Sequence, residues 1–135
     1  MQSSIIEKEY KTVTLRDPVK RAWEIYDEEI RPVVEYLKKR IGWQSLDKAG
    51  RGKDVGIVEG FILYGLEPLR IRQRPYLERS KAIRNLKEKA EECIAIIENT
   101  DPETHPTFFE EETNLKKILL DALRHYRDAL QEEIY

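Results

Sequence analysis

The sequence predicts an all-α fold, a helical bundle, on three observations. Apolar residues recur at steps of three and four over long stretches, Gly and Pro number only six each in 135 residues, and charged residues reach 37% beside 40% apolar. Helices with one apolar stripe and a heavily charged outer face have this composition, and the length suits one domain with its own core. The bundle expected has a long kinked N-terminal helix, a short apolar helix and a C-terminal antiparallel helical hairpin. Residues 1–16 form an N-terminal arm and residues 17–135 a single domain, with basic loop or connector segments at 42–56 and 68–75.

The first helix is read from "RDPVKRAWEIYDEEIRPVVEYLKKRIG". Asp17 is its candidate N-cap, Pro18 takes the first helical position and Gly42 follows the end. Val19, Trp23, Tyr26, Ile30, Val33 and Leu37 form one stripe. Pro32 removes a backbone donor inside it, which predicts a kink or a break.

"GWQSLDKAGRGKDVG" places Gly50, Gly52 and Gly56 among charges and predicts a mobile surface loop. The next stretch, "IVEGFILYGLEP", is the most apolar of the chain and is read as a short buried helix, with a strand as the alternative. If it is helical, Gly56 and Gly60 at a four-residue spacing would allow a close backbone approach. After Tyr76 the positions Ile83, Leu86, Ala90, Cys93 and Ile97 keep a helical rhythm. Beyond the turn "NTDPETHPT", Phe108, Leu115, Leu119, Ala122, Tyr126 and Ala129 do the same, which predicts the hairpin.

A formal charge of -2 hides a strong polarity. Residues 38–89 hold 14 Lys and Arg against 6 Asp and Glu, whereas residues 90–135 hold 4 against 12. Pro68 and Pro75 bracket "LRIRQR", and the residue before a proline is biased toward extended backbone. In an extended connector Leu69 and Ile71 face the core, while Arg70, Arg72 and Arg74 line the other side at roughly 6–7 Å spacing, which suits bidentate contacts with phosphates. Tyr76, Arg79, Lys81 and Arg84 continue this surface, and Lys48, Arg51 and Lys53 extend it if the loop folds nearby, as do Lys38, Lys39 and Arg40. The expected partner is nucleic acid, bound through its backbone without sequence preference. The expected role is a non-enzymatic small helical subunit of a nucleoprotein assembly or coat. The alternative is a protein-interaction or scaffold module that self-assembles through its basic and acidic halves, and either role implies a homo-oligomer or a subunit of a larger assembly.

No catalytic residues, metal ligands or cofactors are expected. "KAGRGKD" departs from the phosphate-loop pattern at Asp47 and Asp54, where a glycine and a hydroxyl residue are required. His105 lies in the turn, and His125 lacks the Glu three residues earlier that a di-iron bundle needs, since Ala122 stands there. Glu110, Glu111 and Glu112 are read as acidic residues opening a helix. Glu24, Asp27 and Glu28 would favour pairing with Lys20 or Arg31 over a cation, and Cys93 is read as a small core residue. A helical enzyme with metal-binding carboxylates is the weakest reading. One cysteine and no apolar run of membrane-spanning length predict a soluble, cytoplasmic protein without membrane contact. The surplus of Ile, Glu, Lys and Arg over Cys, Met, Asn and Gln leans toward a thermophilic source.

Overall fold

The computed structural model describes residues 18–41, 52–71, 76–110 and 113–131. The fold is all-α: four helical rods and one short 3-10 turn, with no strand among the described residues. Helix α1 (18–41) runs without interruption through an α segment Pro18–Ile25, a π-helical turn Tyr26–Ile30 and an α segment Arg31–Ile41. Helix α2 (53–71) has the same construction, with α segments Lys53–Val58 and Tyr64–Ile71 around a π turn Glu59–Leu63. Helix α3 is Tyr76–Glu98, the 3-10 turn is Pro106–Phe109, and helix α4 is Leu115–Gln131.

The expected α1 stripe is buried in full, from Val19 to Leu37. Pro32 does not break the rod. A proline ring crowds the carbonyl four residues back, and here the turn just before it is widened, with the Arg31 N–H reaching back five residues to the carbonyl of Tyr26. The expected pairing of the acidic face holds at Asp27, which accepts from Arg31 at 2.7 Å. Tyr26 is buried, with Trp23 edge-on at 6.0 Å and the Arg31 guanidinium 5.2 Å from its ring centroid. Burial, and the Glu59 carboxylate after it, push its phenol up to about 12.

Helix α2 corrects three expectations. It begins at Lys53, so residues 53–56 of the expected loop are helical. Gly52 is its extended N-cap, the Gly56 N–H closes the first turn onto the Gly52 carbonyl at 2.8 Å, and Asp54 stands in the first turn, where the helix dipole favours a carboxylate. Helix rather than strand is the state of the apolar stretch, and it extends through Pro68 to Ile71, so Pro68–Ile71 is not an extended connector. The buried line Val55, Val58, Ile62, Leu66 and Leu69 keeps helical spacing past Pro68, and each such side chain is worth about 1.5–3 kcal/mol against a helix-interior proline cost of about 3 kcal/mol. The close backbone approach is also elsewhere. A Cβ on Gly56 or Gly60 would meet nothing within 4 Å, whereas one on Gly65 would lie 3.0 Å from Leu86 Cδ2. Gly60→Ala should therefore stabilise the protein by about 0.5–1 kcal/mol, read from its denaturation midpoint, because helix propensity rises with no steric cost.

The four rods pack around one core. Helix α1 lies against α2 and α4, and α3 against α2 and α4. Neighbours α2 and α3 run in opposite directions: Ile57 meets Cys93, Phe61 meets Lys89 and Gly65 meets Leu86. Both C-terminal stripes are buried, Ile83, Leu86, Ala90 and Ile97 on α3 and Leu115, Leu119, Ala122 and Tyr126 on α4. Cys93 is a core residue as expected, and burial pushes its thiol up to about 12, far from thiolate chemistry at neutral pH. No helix among the described residues is long and apolar enough to cross a membrane.

Candidate nucleic-acid interface

Of the ten residues expected to form the basic surface, Lys53, Lys81 and Arg84 have described side chains. Lys81 and Arg84 occupy exposed positions on α3, opposite the buried line Ile83, Leu86 and Ala90. Three residues apart on a helix, they stand side by side and can span neighbouring phosphates. Lys53 is exposed at the first position of α2. Arg70 lies in the last turn of α2, and Tyr76 and Arg79 lie in the first two turns of α3; the side chains of these three are outside the described residues. Lys48, Arg51, Arg72 and Arg74 fall outside the described residues altogether. The helical backbone at Arg70 removes the strict two-residue alternation expected for it with Arg72 and Arg74.

Part of the wider basic set is neutralised inside the molecule. Lys38 pairs at 3.3 Å with Glu59, a carboxylate only 7% exposed, and Arg40 pairs with Glu110. Lys89 lies 5.5 Å from the Phe61 ring centroid and 4.0 Å from Glu92. Lys39, in the last turn of α1, is exposed. The extension of the surface through Lys38 and Arg40 is thus replaced by structural ion pairs, because each long side chain finds a carboxylate on a packed neighbour.

Glu110 also differs from its expected role. Glu110 does not open a helix: it follows the 3-10 turn in extended backbone, and α4 begins at Leu115. Its carboxylate accepts from Arg40 and, at 3.1 Å, from the Tyr36 hydroxyl, and the Arg40 bond holds it below the usual carboxylate range. Asn114, at φ 52°, turns the chain into α4 in the left-handed conformation that asparagine tolerates. Glu111 and Glu112 are outside the described residues.

A second polar centre lies where the α3–α4 connector crosses the start of α2, and sequence reading missed it. Asp54 is 7% exposed; its Oδ2 accepts from the Thr107 hydroxyl, and its Oδ1 lies 3.7 Å from His105 Nε2. His105 stacks on Phe108, with centroids 5.8 Å apart, and its Nδ1 is 2.8 Å from Thr104 Oγ1. The hydroxyl–imidazole–carboxylate line resembles a nucleophilic triad in outline. A pocket of about 410 Å³ nearby is walled instead by Phe108, Phe109, Lys116, Lys117, Leu120 and Arg124, among others, and Thr104, His105 and Asp54 are not on its wall. Only spatial folding brings Asp54 to residues 53 positions away, so no local signal marked this centre. The described residues contain no cluster of three or more His, Cys, Asp or Glu that could hold a metal ion.

No family model matches the chain, and neither a curated protein nor a solved structure matches it. The described residues thus define an all-α fold of four helices, and the sequence between the second and third of them is rich in arginine.

Proposed function

We propose that the protein is a non-enzymatic, nucleic-acid-associated subunit that grips the phosphate backbone through the α2–α3 junction. The observation that carries this reading is charge density beside exposure. Between Leu69 and Arg84 six Lys and Arg stand against one Glu, and Lys81 and Arg84 of that stretch are exposed on a rigid helix. Guanidinium and ammonium groups on such a surface neutralise phosphates and release counterions, which gives affinity without base readout. Such a subunit would act in multiple copies, as a homo-oligomer or within a larger assembly, since few contacts per copy give modest affinity.

The test is a gel-shift titration at two salt concentrations run beside light scattering. Wild type should bind single or double strands with little sequence preference and a steep loss of affinity with salt. Lys81→Ala with Arg84→Ala should lower the slope of log K against log salt by about 2, and Arg70, Arg72 and Arg74 changed together to Ala by about 2–3. Stability of the Lys81/Arg84 variant should stay within about 0.5 kcal/mol, as these are exposed positions. No binding at low salt, or an unchanged slope in a folded variant, overturns the reading.

A second reading, self-assembly through complementary halves, rests on the charge polarity of the sequence, 14 Lys and Arg against 6 Asp and Glu over residues 38–89 and 4 against 12 over residues 90–135. Under that reading, light scattering would show an oligomer dissolving as salt rises while added nucleic acid changes nothing.

A further inference from the structure

We propose that the cleft between the 3-10 turn and α4 is a binding site for a small aromatic carboxylate. The cleft holds about 410 Å³, within the range of small-molecule sites, and its lining joins an apolar part to a cationic one. Phe108, Phe109 and Leu120 form the apolar part; Phe108 and Leu120 are buried and Phe109 is half-buried. Lys116, Lys117 and Arg124 form the cationic part. One carboxylate, that of Glu110, shares the lining, and it is already bonded to Arg40 and to the Tyr36 hydroxyl. The open charge of the cleft is therefore positive.

Lys116 supplies a fixed charge. Its ammonium donates to the carbonyls of Glu98 and Thr100 at 3.3 Å and lies 4.6 Å from the Phe109 ring centroid, and among the described residues it meets no carboxylate. Carbonyls at the end of α3 hold the side chain in place but offset only part of its charge. Lys117 and Arg124 mark where a carboxylate fits. They stand seven residues apart, about 10 Å along α4, yet both reach the Asp121 carboxylate, Lys117 Nζ at 3.0 Å from Oδ2 and Arg124 Nη1 at 3.8 Å from Oδ1. Asp121 is well exposed and outside the lining of the cleft, and Arg124 has a second open pair with Glu98. Ion pairs this open to water contribute little, so they exchange readily for the head of a ligand, and Asp121 is that ligand's internal competitor.

The apolar part decides the body of the ligand. A bare carboxylate such as acetate uses the cations and leaves Phe108, Phe109 and Leu120 against water, whereas an aromatic ring covers them and packs on the two phenyl rings. The site is distinct from the basic surface proposed above. Glu98, whose carbonyl holds Lys116, lies about 20 Å along α3 from Arg84, so the two readings fail independently.

Heteronuclear NMR of the full chain at neutral pH, with 2-naphthoate as the probe, tests this. The amide signals of Phe109, Glu110, Lys116 and Lys117 should shift in a saturable way, with a dissociation constant of about 1 mM or tighter, as a ligand of this size allows. Acetate and neutral 2-naphthol, which each offer one half of the chemistry, should bind about tenfold more weakly. Lys117→Gln with Arg124→Gln should weaken 2-naphthoate about tenfold, and Asp121→Asn should tighten it about two- to fivefold by removing the competitor. Lys81→Ala with Arg84→Ala should leave it unchanged. The proposal is overturned by no saturable shift up to about 10 mM, by acetate or 2-naphthol binding as tightly as 2-naphthoate, or by no tightening in Asp121→Asn. An unchanged affinity in the Lys117/Arg124 variant also overturns it, and should that variant fail to fold, Lys117→Gln alone, at an exposed position, decides by the same criterion.

Discussion

Leu119→Ala should destabilise the protein by about 2–5 kcal/mol in a denaturant titration, with the slope of the transition unchanged. Leu119 is fully buried on α4, between Leu115 and Leu123 on the same face, where α1 and α3 both press against that helix. Removing its branched end takes contacts from both neighbours at once, and rigid rods on two sides limit how far the site can collapse. The upper part of the range is expected for that reason. A loss below about 1 kcal/mol would mean that α4 is free to shift inward and that its packing is looser than its burial implies.

The second large effect has the opposite sign. Tyr126→Phe should raise stability by about 1–3 kcal/mol, since the buried Tyr126 hydroxyl has no hydrogen-bond partner and its desolvation is uncompensated in the folded state. Burial acts on the same group by pushing its phenol well above the ordinary range, with Cys93 and Tyr26 adding to the shift. A thermal melt of Tyr126→Phe at neutral pH checks this. A fall in midpoint would show that the hydroxyl holds an ordered water, which the phenylalanine strands.

The helical class was legible because it rests on periodicity, which local sequence carries directly. The stripe Val19 to Leu37 and the two C-terminal stripes are buried as their spacing predicts. What local rules could not weigh was burial against backbone bias. Pro68 and the bias of Glu67 before it argued for extended chain, and the cores around Leu66 and Leu69 outweighed both. The same limit hid the start of α2, where Gly52 and Gly56 signalled loop although Asp54 and its partner Thr107 stabilise a helical turn. Charge counting identified which residues are basic, not which would be neutralised. Lys38 and Arg40 differ from Lys81 and Arg84 only through Glu59 and Glu110, residues 21 and 70 positions distant, whose proximity is a product of the fold.

The two π turns have a consequence for how these helices tolerate change in length. A turn closed over five residues instead of four holds one residue more than the α-helical ladder needs, so each rod contains the equivalent of a single-residue insertion absorbed without a break. Each residue advances an α-helix by about 100°, so a deletion within Tyr26–Ile30 would leave a continuous helix but rotate Arg31–Ile41 by roughly that angle against Pro18–Ile25. Leu37 would swing off the core and Arg40 away from Glu110. What the packing of α1 and α2 requires is therefore angular phase rather than length, and paired insertions and deletions that keep the phase are the changes these rods can accept.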